Sequence, residues 1–230
     1  MFIGHYAPAF IAATSRRSPK LGTLFIAAQL VDISFFSLLL LDVEHMRLVP
    51  GATKMNPMDL YDMPWDHSLL GALGWAIGFA IVIRLVSRSW PAAAIGGAVV
   101  LSHWLIDLLV HRPDLTLAGR PPGLGFGLWN HPAIEIPLEL LFAFGGLWWF
   151  VRRTTAIGTA GRWSPLALGV GMAALQAINW LTPQPAAVVD PVPASMGALG
   201  LFAYGVAFLL AWWVARTRQL AWPSPSGENA

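Results

Sequence analysis

Six long apolar segments constrain this chain more than any other feature of its sequence. They cover about residues 21–42, 67–87, 91–111, 133–151, 164–182 and 194–215. A helix of about 20 residues is long enough to cross the ~30 Å hydrocarbon core of a bilayer. Only 11% of the residues are charged, whereas an average soluble domain carries roughly 25%. The sequence therefore predicts an all-α, polytopic membrane helix bundle with about six transmembrane helices.

The arrangement of polar residues along the chain predicts four parts. An apolar stretch at 2–14 is too short to cross a bilayer, so residues 1–20 should form an interfacial or re-entrant, half-inserted segment. Most ionisable residues follow in a four-span half over 21–152, which should hold a functional site. Residues 153–217 should form a two-span apolar scaffold half, and 218–230 a disordered tail.

The basic residues predict how the chain is oriented. Ten lysines and arginines flank one set of span ends and four flank the other. Because the basic side of a bacterial inner-membrane protein faces the cytoplasm, both termini should be cytoplasmic. The same clustering explains the pI of about 9.4 as basic membrane flanks, so no nucleic-acid partner is expected. The sequence contains no cysteine, which excludes disulfides and thiolate metal sites.

Ionisable side chains inside the predicted spans are costly in hydrocarbon and usually mark a function. The deep ones are His5, Asp32, His103, Asp107 and Glu139, and His67 lies just above them at the outer end of the second span. At ~1.5 Å per residue from the basic ends, Asp32 lies about 16 Å deep and Asp107 about 24 Å, with the others between. These similar depths predict one shared site in the outer half of the bilayer.

The third span carries the clearest chemical signal. His103, Asp107 and His111 recur every four residues and therefore share one helical stripe. His103 and Asp107 can chelate one ion, whereas His111 lies about 12 Å from His103 along the axis and should serve a second ion or a substrate. Imidazole and carboxylate donors suit a divalent metal, most of all Zn²⁺, with Mn²⁺ or Fe²⁺ as alternatives.

Other polar residues near the predicted site have structural explanations of equal weight. His131 and Glu135 form an i, i+4 pair at the start of the fourth span, which also fits a simple helix entry. Asp66 can cap a helix that begins at His67. Glu44 and His45 should lie on the surface at the membrane edge.

At these residues the chain resembles the inner-membrane, metal-dependent hydrolases of the YdjM type, a LexA-regulated family. The family has an N-terminal Gly-His, a Leu-Pro-Asp-x-Asp-His block, a His-Arg-x-x-Thr-His-Ser block and a Ser-His-x-x-x-Asp block. The counterparts here are Gly4 and His5, then Asp32 in QLVDIS, then His67 and Ser68 in DMPWDHSLL, then Ser102, His103 and Asp107 in LSHWLID. The match runs in order over the first half of the chain.

The chain departs from that pattern at Ser34, Phe35 and Asp62, where the family has Asp, His and His. The ligand set is therefore either thinner or completed by further residues, namely Glu135, Glu139, His111 or His131. The order of these histidines and carboxylates is also similar to zinc-dependent phospholipase C, in which the His-x-x-x-Asp pair bridges two metals. That weaker likeness suggests phosphoester chemistry.

Together these features predict a membrane-embedded hydrolase that binds one or two divalent ions and acts on a lipid or lipid-linked (phospho)ester at the outer leaflet. The expected metal ligands are His5, Asp32, His67, His103 and Asp107, then Glu139 and His111. Glu135 or Asp66 is the expected general base, and Ser68 and Ser102 should orient the imidazoles.

A non-catalytic membrane protein is the alternative function. It would be an accessory subunit of a larger membrane complex, or a metal or proton permease. The broad apolar faces of the last two spans fit either a homo-oligomer or such a complex.

Overall fold

The computed structural model describes residues 1–221 and confirms an all-α membrane bundle. Within these residues, six helices are long and apolar enough to cross a bilayer. They are α2 (Leu21–Leu40), α3 (Leu69–Ser87), α4 (Trp90–Val110), α5 (Pro132–Arg152), α6 (Ala160–Leu181) and α7 (Ala194–Thr217). A shorter helix, α1 (Tyr6–Ala12), follows a 3-10 turn at Ile3–His5. The chain is therefore a multi-pass membrane protein, and its spans agree closely with those predicted.

The N-terminal segment is tucked into the bundle, which is one of the two arrangements that its length allowed. Ile3, Ala9 and Phe10 are completely buried, and Tyr6 stacks on Phe25 of α2 with 4.0 Å between ring centroids. This helix packs against α2, α4 and α5. Its apolar residues thus form part of the core, and they fix His5 at the centre of the molecule.

Helix α2 is the central span of the bundle. It packs against α7 on one side and against α4 and α1 on the other, while α3 contacts mainly α4. The α2–α7 contact is close, because a Cβ on Gly22 would lie only 2.9 Å from the Trp212 Cα. Small residues allow membrane helices to approach in this way, and α7 is thereby held against the helix that carries Asp32.

Two antiparallel sheets of two strands each lie at opposite ends of the bundle. Strands β1 (His45–Leu48) and β2 (Met58–Asp62) pair between α2 and α3, and β3 (Thr154–Ala156) pairs with β4 (Arg218–Leu220). In the first hairpin, Asp59 pairs with Arg47 at 2.6 Å and also with Arg112 from the α4–α5 loop. These ion pairs hold the loops together over the β1–β2 end of the bundle.

The loops and the tail differ from the sequence predictions in three places. Glu44 is completely buried and not on the surface, and its Oε1 accepts a hydrogen bond from the Trp65 backbone at 2.7 Å. Helix α3 begins at Leu69 with Ser68 as its cap, so the prediction that Asp66 caps this helix is wrong. The tail predicted over 218–230 includes β4, and residues 222–230 lie outside the described residues.

Candidate metal centre

Six of the seven predicted metal ligands meet in one buried cluster near the β1–β2 end of the bundle. Three sets of donor atoms lie within 4.8 Å of one another, and they are His5, His103 and Asp107; Asp32, His67 and His103; and His67, Asp107 and His111. The cluster draws on the N-terminal turn, α2, α4 and the start of α3. The convergence inferred from helix depths is confirmed for His5, Asp32, His103 and Asp107, whereas Glu139, expected at a similar depth, lies outside the three sets.

Two imidazole nitrogens lie close to carboxylate oxygens of both Asp32 and Asp107. Asp32 Oδ1 lies 3.4 Å from both His67 Nε2 and His103 Nε2. Asp107 Oδ2 lies 3.0 Å from His103 Nε2 and 3.9 Å from His67 Nε2. Donors bound tetrahedrally at the usual zinc distances are about 3.4 Å apart. Asp32 and the two imidazoles form one of the three donor sets, at a spacing that suits a divalent ion, and Asp107 belongs to the other two sets.

Three imidazoles are held so that their Nε2 atoms face the cluster. His103 Nδ1 lies 2.7 Å from the Ala28 carbonyl oxygen, so it must carry the proton and donate it. His67 Nδ1 donates to Asp66 Oδ1 at 2.6 Å, and His111 Nδ1 lies 2.9 Å from Asp114 Oδ1. A metal-binding histidine typically makes such a contact, because it fixes the tautomer that leaves an Nε2 lone pair for the ion.

The second oxygen of Asp107 faces a different set of donors. Asp107 Oδ1 lies 2.9 Å from His5 Nε2, 3.6 Å from His111 Nε2 and 3.2 Å from the Met1 nitrogen. The His5 ring is stacked on the His103 ring, with centroids 3.7 Å apart and 3° between planes. Asp107 thus connects two adjacent groups of donors, in keeping with the expectation of one or two ions.

Tyr204 of α7 is a contributor to the cluster that the sequence did not indicate. Its hydroxyl donates to Asp32 Oδ2 at 2.8 Å, which leaves Asp32 Oδ1 directed toward the imidazoles. The only sequence signal is one hydroxyl-bearing residue in the apolar run GLFAYGVAFLL, and an aromatic in a span usually serves as packing or an anchor. The apolar half of the chain therefore supplies a group that orients a predicted ligand.

The two glutamates of α5 differ in their surroundings. Glu139 Oε1 accepts hydrogen bonds from the Phe2 and Gly4 nitrogens at 2.5 and 3.1 Å. Its Oε2 accepts one from Gln176 of α6 at 3.2 Å. Among the described residues, Glu135 is buried and neither of its carboxylate oxygens has a hydrogen-bond partner. Glu139 thus anchors the turn that presents His5, and Glu135 retains free acceptor atoms.

The roles expected for two serines are wrong. Ser68 accepts from the Gly71 nitrogen at 3.0 Å and donates to the Pro64 carbonyl, so it caps α3. Ser102 donates to the Val99 carbonyl within its own helix at 2.7 Å. Neither contacts an imidazole nitrogen in these bonds, because the Nδ1 atoms of His67 and His103 are already engaged by Asp66 and Ala28.

A buried carboxyl lies directly behind Asp66. Burial, reinforced by the negative charge of Asp66, raises the pKa of Glu44 to about 9. Glu44 is therefore protonated at neutral pH, while Asp66 remains the acceptor for His67 Nδ1. This arrangement gives Asp66 an orienting contact in addition to the general-base role, which stays a prediction.

The chemistry of the donor set fits a divalent cation. With the imidazoles neutral, Asp32 and Asp107 bring two negative charges into a membrane interior, where uncompensated charge is costly, and the Met1 ammonium pairs with one of them, at Asp107 Oδ1. In the described part of the chain, His103 Nε2 and Asp107 Oδ2 are buried and face each other at 3.0 Å without a hydrogen bond. An ion bound to both would satisfy these two atoms and balance the negative charge that the Met1 ammonium leaves.

No family model, curated protein or solved structure matches this chain. The resemblance to YdjM-type hydrolases stays a prediction, and the geometry of the cluster carries the functional argument.

Proposed function

We propose that this protein is a membrane-embedded, divalent-metal-dependent hydrolase that acts on a lipid or lipid-linked (phospho)ester at the outer leaflet. The supporting observation is the arrangement of three imidazoles. Their Nδ1 atoms are held by hydrogen bonds, and their Nε2 atoms lie close to two carboxylates. The orientation follows the distribution of basic residues, with both termini in the cytoplasm and the cluster toward the outer face of the inner membrane.

Asp32, His67 and His103 would hold the first ion, and Asp107 Oδ2 lies beside the two imidazoles. His5 and His111, together with the other oxygen of Asp107, would hold a second ion or contact the substrate. Nitrogen and oxygen donors without thiolate favour Zn²⁺, and Mn²⁺ or Fe²⁺ are also compatible. Such an ion supplies Lewis-acid polarisation of a phosphoryl or carbonyl oxygen and activation of water.

Other residues of the protein would orient the metal ligands and supply the general base. Asp66, Asp114 and the Ala28 carbonyl fix the imidazole tautomers, and Tyr204 directs Asp32. Glu135 is the proposed general base, because it is a buried carboxylate with both oxygens free of hydrogen bonds. Burial between helices excludes bulk water, which strengthens each electrostatic contact within the cluster.

The test is hydrolysis by the purified protein in vesicles that contain phospholipids and lipid-linked phosphates. We expect released headgroup or acyl product, its loss after chelation, and its recovery when Zn²⁺ is restored. Glu135→Gln should retain the metal and lower turnover by about 10²- to 10⁴-fold, the usual contribution of a general base. A metal-replete protein that releases no more product than a His103→Ala/Asp107→Ala variant would instead indicate a non-catalytic metal protein.

A further inference from the structure

A groove separate from the metal cluster lies between α4 and α5, with α1 as its floor. Its volume is about 490 Å³, within the range of small-ligand pockets. Apolar side chains line it from all three helices, among them Ile11, Leu105, Leu109, Leu141, Phe142 and Trp149. Ser102 supplies the only side-chain hydroxyl in the lining. A polar ligand would lose its hydrogen bonds to water there without replacing them, so the groove suits hydrocarbon.

One face of α5 leads from the candidate metal centre to the groove. Glu135, Glu139, Phe142 and Gly146 follow one another at intervals of four, three and four residues, so they share one face of this helix. The first two carry the buried carboxylates, and the last two line the groove. One face of α5 therefore changes from acidic near the β1–β2 end to apolar farther along the span.

The other two helices that line the groove, α4 and α1, also lead to the cluster. Ser102 of α4 directly precedes His103, and Ala7 of α1 is two residues beyond His5. Glu139 also binds the backbone of Gly4 next to His5. Each of the three helices that line the groove thus leads, within about one helical turn, to a residue of the candidate metal centre or a residue that anchors it.

We propose that this groove binds one hydrocarbon chain of a membrane lipid and thereby presents that lipid's polar head to the metal cluster. The inference rests on the proposed hydrolase function and adds a site for the substrate's chain. Because α4 and α5 are membrane spans, the groove opens toward the lipid chains of the bilayer. A hydrocarbon chain that lies between the two helices would enter the groove sideways from the membrane and would need no aqueous path.

Gly145 offers a way to fill the groove without disturbing the bundle. A Cβ at this position would meet only the Leu141 Cδ1 atom, at an ordinary contact distance of 3.7 Å. At neighbouring Gly146 it would lie 3.0 Å from the Ala7 Cα, so substitution there would push α1 away. Gly145→Leu is therefore the informative variant. Gly74→Leu on α3 is the matched control, because nothing lies within 4 Å of that Cβ position.

The experiment uses a phosphatidylglycerol or phosphatidylethanolamine with a photoreactive diazirine in one acyl chain. The full chain is reconstituted in vesicles of that lipid, irradiated and digested, and the labelled residues are identified by mass spectrometry. We expect labelling concentrated in 102–109 and 141–149. Gly145→Leu should reduce it by about tenfold or more, because the added side chain displaces several buried methylenes. Gly74→Leu should leave it unchanged.

Metal content and hydrolysis of a short-chain, water-soluble ester are measured on the same samples. If Gly145→Leu loses the groove labelling but keeps its metal and its short-chain hydrolysis, the groove is supported as the site of the lipid's hydrocarbon chain. Labelling spread evenly over the exposed faces of all six spans, and insensitive to Gly145→Leu, would overturn it. If the wild type contains no metal or does not hydrolyse the short-chain ester, that result would contradict the proposed function instead, whatever the labelling shows.

Discussion

Tyr204→Phe tests whether a residue from the apolar half of the chain supports metal binding. The substitution removes one hydroxyl, which donates to Asp32 Oδ2 at 2.8 Å. It keeps the ring, whose edge-on contact with Phe2 at 5.8 Å should persist. Asp32 then loses the contact that directs its Oδ1 toward His67 and His103, 3.4 Å from each.

Two independent magnitudes agree on the size of this effect. Loss of a group that orients a metal ligand typically costs 10- to 100-fold in affinity, which corresponds to about 1.4–2.7 kcal/mol. A hydrogen bond to a charged group contributes about 1.5–3 kcal/mol. We therefore expect Zn²⁺ to bind Tyr204→Phe about 10- to 100-fold more weakly than the wild type.

Competition with a fluorescent zinc chelator, on purified protein in detergent, measures that change. Tyr61→Phe is the matched control, because the Tyr61 ring is half exposed in the β1–β2 hairpin and contacts Arg47 rather than the cluster. Its affinity should equal that of the wild type. Equal affinities in all three proteins would refute the proposed role of the Tyr204 hydroxyl.

Three further predictions follow from individual contacts. Asp66→Asn should weaken zinc binding by about 10- to 100-fold in the same competition assay, because His67 Nδ1 loses its carboxylate acceptor; Asp62→Asn, an equal change outside the cluster, should not. The hydrogen bond that His45 donates to Asp62 raises the pKa of His45, so this pair should stabilise the β1–β2 hairpin below pH 6.5 and lose that effect as pH rises through the raised pKa. Hydrogen exchange of the hairpin amides between pH 5 and 9 should show this, and His45→Gln should abolish the pH dependence. Ser68→Ala should destabilise the protein by about 1 kcal/mol through loss of the α3 cap, with unchanged metal content; a metal loss in this variant would contradict the capping role.

The spans and the convergence of the cluster could be predicted because each depends on distances along the chain. Helix length and hydropathy locate a span, and a rise of ~1.5 Å per residue gives depth. Asp32 and His103 were expected at similar depths for that reason, and their side chains lie 3.4 Å apart. The i, i+4 spacing likewise placed His103 and Asp107 on one face.

Contacts that depend on how helices pack side by side could not be predicted from depth alone. Tyr204 meets Asp32 only because α7 lies against α2, and Gln176 meets Glu139 only because α6 approaches α5. Hydrogen bonds to backbone atoms could not be predicted from the sequence either. The Ala28 carbonyl that holds His103 carries no sequence signal, and Ser102 binds its own helix although it precedes His103 in the chain.

The metal content of the purified protein tests the central claim most directly. Inductively coupled plasma mass spectrometry should find one or two divalent ions per chain in the wild type and none in His103→Ala/Asp107→Ala. The double variant His45→Ala/Asp62→Ala removes a histidine–carboxylate pair of similar spacing, 2.7 Å, outside the cluster and should retain the metal. A wild-type protein without bound metal after zinc loading, or equal metal in all three proteins, would contradict the assignment of this cluster as a metal centre.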